Sequence, residues 1–243
     1  MQSRATANRT ILSGTLLLVV PSVLVAQGQA PQERVAALKQ SLQQSQAKLR
    51  TYEWIETTAV SLKGEEKSRK QNRCYYGADG KVQKVPIVEP GAPPPQQPSA
   101  RGRRGGRLKE NVIENKKEEM TEYMQKAVAL VHQYVPPNPA KIQAVKDAGK
   151  AAMSMVEPDP RVEFADYLQP GDSLALEFNP QTNHLLAMMV ASYIEKPDDA
   201  VKLNVQFADL PDGTTYQATT TLDAPAKNIS VKIENSGHRP ASH

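Results

Sequence analysis

Six consecutive β-strand patterns in the C-terminal half constrain the fold of this chain more than any other feature. The patterns are rich in β-branched and aromatic residues. They lie at 161–168, 173–178, 184–194, 201–207, 214–222 and 229–233. Turn signals such as PGD, KPDD and LPDG separate them, so each connection is short. Because short connections join antiparallel neighbours, the pattern predicts an antiparallel meander.

Side-chain alternation within this meander predicts which face of the sheet is buried. Val201, Leu203 and Val205 alternate with polar residues, which is typical of a strand with one apolar and one solvated face. The segment 184–194 is apolar on both faces, so we expect it to be a central strand.

The N-terminal part adds a helix and three more predicted strands. After Pro31, apolar residues at helical spacing predict an amphipathic helix of about 20 residues. The segment 51–62, which contains YEWIETT, is predicted to be a strand. The segment 65–76 is polar on both faces until Cys74, which predicts an edge strand blunted by charge. A turn at Asp79-Gly80 then leads into a third strand at 81–88.

Two helices are predicted between these two groups of strands. The first covers about 109–135 and is stopped by Pro136. The second begins with Asn138 as its cap and Pro139 at its first position, and it is predicted to continue to Val156. Their short connection predicts an antiparallel helical hairpin.

Together these patterns predict an α+β protein. Its sheet is antiparallel and curved, with about eight or nine strands. An N-terminal helix and the inserted helical hairpin are expected against the concave side. The length of 27–243 fits a single domain.

Residues 1–26 have the pattern of a secretory signal peptide. Arg4 and Arg9 precede an uncharged apolar stretch, 11–26. That stretch is shorter than the roughly 20 residues of a membrane-spanning helix. We therefore expect cleavage after Ala26 and a periplasmic or secreted protein. The one cysteine, Cys74, is far from the cleavage site, so no lipid anchor is expected.

A Pro-, Gly- and Arg-rich segment at 89–107 is predicted to be a disordered loop. It carries Arg101, Arg103, Arg104 and Arg107. Residues 99–110 have a net charge of +4 and 27–243 as a whole has +2, so the rest of the exported chain sums to −2 and is not basic. Nucleic acid is not an expected partner of an exported protein. The segment is interpreted as a solvated loop, with contact to anionic lipid head groups as the alternative.

The order of elements resembles that of the LolA-type periplasmic lipoprotein carriers. The resemblance rests on the leading amphipathic helix, the strand YEWIETT, the helical insertion and the closing meander. It covers most of the chain after residue 26. It implies an incomplete barrel that holds acyl chains. The long basic loop and the helical hairpin depart from the compact carriers, and no carrier residue can be placed on this chain.

No catalytic or metal-binding motif is present in the sequence. His132, His184, His238 and His243 do not have metal-ligand spacing, and there is no HExxH, CxxC or GxSxG. We therefore predict a protein that is not an enzyme and that needs no metal or cofactor.

Methionines on the hairpin and the central strand are the candidate ligand contacts, because flexible, polarizable side chains suit a cavity for varied apolar ligands. The predicted contacts are Met120, Met124, Met153 and Met188. Met189 must point to the opposite face from Met188, so at most one of the two faces the hairpin. The alternative is that the methionines fill gaps between helices and sheet.

The sequence therefore predicts a soluble periplasmic protein that binds an apolar or lipid-like ligand under a helical lid, such as a lipid or lipoprotein carrier. The alternative is a non-enzymatic envelope scaffold or interaction module without a cavity. An apolar cavity on the order of several hundred Å³ favours the first function.

Overall fold

The computed structural model describes residues 31–87, 107–156 and 159–241, with side chains from residue 40 in the first helix and from residue 118 in the second. Within these ranges the chain forms three α-helices, a 3₁₀ helix and one sheet of ten strands. The helices are α1 (Pro31–Leu49), α2 (Arg107–Val131), α3 (Pro139–Asp147) and the 3₁₀ helix Pro225–Lys227, and the strands are β1 (Tyr52–Leu62), β2 (Glu65–Tyr76), β3 (Val82–Pro86), β4 (Ala151–Val156), β5 (Asp159–Ala165), β6 (Ser173–Phe178), β7 (Leu185–Tyr193), β8 (Ala200–Asp209), β9 (Thr215–Ala224) and β10 (Ile229–Pro240).

The sheet is open, with the strand order β3-β2-β1-β10-β9-β8-β7-β6-β5-β4. Every pairing is antiparallel, and the pairing of β1 with β10 joins the N-terminal strands to the C-terminal meander. Register shifts in the pairings of β1 with β10 and with β2, of β6 with β7 and of β8 with β9 mark bulges, which bend and twist strands. The predicted α+β fold with an open, curved antiparallel sheet is confirmed.

The edge-strand prediction for 65–76 is confirmed only for the first part of β2. The pairing of β2 with β3 covers Asn72 to Tyr76, whereas β1 pairs along nearly all of β2. The charged residues before Asn72 therefore protect an edge, while the end of β2 lies between two strands.

The predicted second helix is wrong beyond Asp147. Asn138 caps α3 as expected, because its side chain accepts hydrogen bonds from the backbone N–H groups of its first turn. Gly149 then adopts φ +72°, a left-handed conformation that ends helices and that glycine adopts without strain. After Lys150 the chain forms β4, which pairs with β5.

The hydrophobic core lies between the helices and one face of the half of the sheet that runs from β5 to β9. On the sheet, Leu174, Val201 and Met188 are at most 2% exposed. The helices contribute Ala127 from α2 and Val145 from α3, both buried in the same cluster. The alternation expected for β8 is confirmed, because its odd-numbered residues are buried and its even-numbered ones exposed as far as Gln206.

Helix α2 lies across the ends of several strands. Lys126 Nζ is 2.8 Å from Glu195 Oε1, just after β7. Further along the same end of the sheet, Lys227 Nζ lies 5.5 Å from the ring centroid of Tyr123. At the opposite end of the sheet, the Thr215 N–H donates to Ser45 Oγ of α1. None of the described helices is long and apolar enough to cross a membrane.

A buried polar network holds the turn that follows α2 against the sheet. The Tyr134 hydroxyl donates to the Asp172 carboxylate and contacts Ser192 Oγ at 2.8 Å. Asp172 also accepts the backbone N–H groups of Leu168 and Gln169. Burial, assisted by the bond to Asp172, raises the pKa of Tyr134 well above its usual range. The network therefore holds a neutral tyrosine and fixes the position of α2.

A candidate ligand groove beside helix α2

An open groove of about 1010 Å³ lies between α2 and the turns at one end of the sheet. Its apolar wall consists of Leu62 from β1 and Met120, Met124, Val128 and Ala129 from α2. The volume is at the upper end of the roughly 300–1,000 Å³ that is usual for small-molecule sites. The groove is therefore large enough for an elongated apolar ligand.

Polar residues surround this apolar wall. They are Lys63, Thr121, Gln125, His132 and Lys227. Among the described residues that line the groove, none is acidic. The groove thus combines an apolar wall with a rim that is neutral or positively charged.

Helix α2 forms the wall because it has apolar residues on two adjacent faces. Ala127 and Val131 belong to the core side. Met120, Met124 and Val128 recur every four residues and therefore lie on one neighbouring face. Met124 also packs partly against the core, whereas Val128 is 42% exposed. The core thus uses only part of the apolar surface of α2.

Two adjacent turns place the lysines at the groove. The Lys63 N–H donates to the Asn228 carbonyl at 2.8 Å, which ties the turn after β1 to the turn before β10. Both residues are left-handed, with φ of 54° and 53°. Lys227 lies over the Tyr123 ring, within the range of a cation–π contact. Burial raises the pKa of the Tyr123 hydroxyl, and the Asp199 carboxylate adds to this effect.

The structure brings two of the four predicted methionines to the groove. Met120 and Met124 line it. Met188 faces the helices as expected, but it is 2% exposed inside the core and does not line the groove. Met153 is 60% exposed on β4, at the far edge of the sheet from β1. It is separated from the groove because its segment forms a strand instead of continuing α3.

The predicted membrane-contact arginines cannot be placed. Arg101, Arg103 and Arg104 lie outside the described residues, as do the 1–26 segment and most of the basic loop. Arg107 begins α2, but its side chain is also outside the described part. Contact with an anionic surface and the signal peptide therefore stay predictions.

The described histidines have separate environments. His184 Nδ1 lies 2.7 Å from Asp209 Oδ2. His238 stacks on Trp54, with ring centroids 5.8 Å apart. His132 lies on the rim of the groove. Within the described ranges, no group of three or more His, Cys, Asp or Glu side chains is placed to hold a metal ion.

Cys74 is fully buried in β2. Burial raises the pKa of its thiol to about 11, and the Glu56 carboxylate adds to this effect. The reactive form of cysteine is the thiolate. Cys74 is therefore a packed, protonated residue at neutral pH.

Sequence reasoning did not select Leu62, Lys63, Val128 or Lys227 as site residues. Lys63 and Lys227 are far apart in the chain, and only the pairing of β1 with β10 brings their turns together. For Val128 a signal was available, because it follows Met124 by one helical turn on the same face.

No family profile and no curated protein matches the sequence of this chain. Solved structures that resemble it include a LolA superfamily protein from Nitrosomonas europaea, with 7% identity, a TM-score of 0.38, and 85% of this chain and 94% of that chain covered. Another is a DUF1329 family protein from Desulfovibrio piger, with 10% identity, a TM-score of 0.34, and coverage of 85% and 92%. The order of elements had indicated a resemblance to the LolA-type carriers. Identity this low transfers no site residue, so the groove is interpreted from its own side chains.

Proposed function

We propose that this protein binds an elongated apolar ligand, such as an acyl chain, in the groove beside α2. The observation that carries the proposal is the second apolar face of α2, which the core leaves open. Val128 is 42% exposed there and lines the groove with Met120, Met124 and Leu62. Contiguous apolar surface of this kind marks binding sites more often than inert surface.

The shape of the groove supports a carrier function. It is open to solvent along one side, so it covers part of a ligand and leaves a path for loading and release. The methionines suit this role because their unbranched side chains adapt to ligands of different shape. The buried network around Tyr134 and Asp172 keeps α2 in place while the groove side adapts.

The proposed location is the periplasm or the extracellular space. The 1–26 pattern supports export. An acyl chain is poorly soluble in an aqueous compartment because its apolar surface is costly to hydrate. An exported groove protein would shield such a chain between membranes.

Uptake of the neutral dye N-phenylnaphthylamine, which fluoresces in apolar surroundings, tests the proposal. We expect saturable binding to the wild type. Val128→Glu should weaken binding about tenfold, because the dye would have to desolvate a carboxylate. Its melting temperature should hardly change, since Val128 is already 42% exposed.

Met153→Glu is the matched control. It introduces the same charge at a 60% exposed site on the far edge of the sheet, so dye uptake should equal that of the wild type. Equal uptake by Val128→Glu and the wild type would exclude the groove as the site. Met124→Glu is less decisive, because Met124 also packs against the core and its replacement should lower both uptake and stability.

An interaction module is the second candidate function, and β4 favours it. This edge strand, AAMSMV, carries no charge and exposes Met153, Met155 and Val156. Edge strands are usually protected by charged residues. A wild-type protein that takes up no dye would leave this function in place of the carrier.

A further inference from the structure

Within the described part of the chain, the two lysines of the groove form no ion pair. Ten ion pairs form among the described residues, and neither Lys63 nor Lys227 takes part in any of them. No acidic side chain belongs to the described lining of the groove. Among the described residues, therefore, no ion pair neutralises the two lysines that line the groove beside its apolar wall.

The backbone places Lys63 and Lys227 on adjacent turns at the groove. The Lys63 N–H···O=C Asn228 bond fixes the two lysine-bearing turns next to each other. The Lys227 ammonium rests over Tyr123, which limits where it can point. The facing wall is the apolar side of α2, with Met120, Met124 and Val128. A ligand that matched this arrangement would place a negative head at the turns and an aliphatic chain along α2.

The charged donors at the turns are sufficient to bind a carboxylate. Phosphates are commonly held by backbone N–H groups at helix N-termini or in backbone nests. At this groove the Lys63 N–H is already used by Asn228, and the remaining charged donors are two ammonium groups. Two point charges on flexible stems suffice for a monoanion.

We infer that the ligand is a single-chain fatty acid and that Lys63 and Lys227 bind its carboxylate. The inference rests on the proposed function and adds the charge and position of the head group. Exposed lysine–carboxylate contacts are individually weak, so both lysines together should favour the acid over the matching alcohol by about fivefold.

Displacement of N-phenylnaphthylamine by dodecanoate, dodecanol and dodecyl phosphate at neutral pH tests this inference. The wild type should bind dodecanoate about fivefold more tightly than dodecanol. In the double variant Lys63→Gln/Lys227→Gln, dodecanoate and dodecanol should bind with equal affinity, because the ammonium groups that distinguish them are gone.

A matched control is the double variant Lys141→Gln/Lys146→Gln. It removes the same net charge from exposed positions of α3, which packs on β5 away from the groove. It should keep the wild-type preference for dodecanoate. Loss of the preference in this control would show a general charge effect and overturn the assignment to Lys63 and Lys227.

The remaining outcomes separate the two proposals. If the wild type binds the dye but has equal affinity for dodecanoate and dodecanol, the fatty-acid inference is overturned. The proposal of an apolar ligand in the groove then still stands. If dodecyl phosphate binds more tightly than dodecanoate, the groove prefers a phosphate head group to a carboxylate, and this result also overturns the fatty-acid inference. Absence of dye binding by the wild type overturns the proposed function and this inference together.

Discussion

The two halves of the sheet share one hydrogen-bonded framework but differ in what stabilises them. From β5 to β9, apolar side chains such as Leu174 and Leu203 are buried under the helices. In β1 and β2 the buried residues are mainly polar, including Glu53, Glu56 and Thr57. One half is thus held by a hydrophobic core and the other by backbone pairing and polar contacts.

Polar contacts in the N-terminal half join strands within the sheet, either neighbours or strands separated by one other, rather than layers. Lys84 Nζ lies 2.7 and 2.8 Å from the two oxygens of Glu56, and Trp54 Nε1 donates to Asn235 Oδ1 at 3.1 Å. When they are partly exposed, such contacts contribute about 0–1 kcal/mol each to the free energy of unfolding. The groove lies where α2, anchored in the packed half, reaches the turns of this less packed half.

The largest expected difference between the halves is the cost of truncating an apolar residue. Leu174→Ala should lower the free energy of unfolding by about 2–5 kcal/mol, because Leu174 is fully buried and its loss leaves a cavity. Val60→Ala in β1 should cost less, since Val60 is only partly buried. Urea unfolding measures both. Equal losses would mean that the two halves are packed alike.

A smaller effect is expected from the network that anchors α2. Tyr134→Phe removes the hydroxyl that serves Asp172 and should cost about 1–3 kcal/mol, because a buried carboxylate loses a donor. Hydrogen exchange of α2 should speed up. Tyr193→Phe is the control, since its hydroxyl makes an exposed bond to the Pro170 carbonyl. If both variants are equally stable, the network does not anchor the helix.

The smallest effect concerns pH and lies in the less packed half. Burial lowers the pKa of His238 below its ordinary value of 6.5. The folded state therefore binds fewer protons than the unfolded state as the pH falls below about 6.5. The contribution of the neutral His238 ring to stability is complete above that pH, and it is lost as the pH falls through the pKa of His238 in the folded state.

Trp54 reports this titration directly, because it is the one tryptophan of the chain and stacks on His238. Its fluorescence should titrate with a midpoint below 6.5 in the wild type and not in His238→Phe. The difference in stability between the two proteins should change between pH 7 and pH 5. A midpoint above 6.5 would contradict the burial of the neutral ring.

Local pattern determined most of the strands and the first part of the hairpin. Val201, Leu203 and Val205 specify a half-buried strand through their alternation alone. Asn138 specifies the start of α3 because its side chain can accept the free N–H groups of the first turn. These features depend on residues close in the chain, so they can be derived before any tertiary contact is known.

Segment 151–156 shows where local pattern is ambiguous. Its short apolar run fits a helix end or a strand, and periodicity cannot separate the two at this length. Because the segment pairs with β5, it forms a strand, and Met153 therefore lies at the edge of the sheet. The error in the predicted hairpin and the misplacement of one predicted ligand residue therefore have the same cause.

The groove is a product of tertiary structure. The methionines on α2 could be selected from the sequence, because their residue type and helical spacing are local properties. The positions of Lys63 and Lys227 could not, since their two turns become neighbours only when β1 pairs with β10 and the Lys63 N–H reaches the Asn228 carbonyl. By itself the sequence determined the elements and their apolar faces. Long-range strand pairing alone decided which charges stand beside which apolar face, because that depends on contacts between residues distant in the chain.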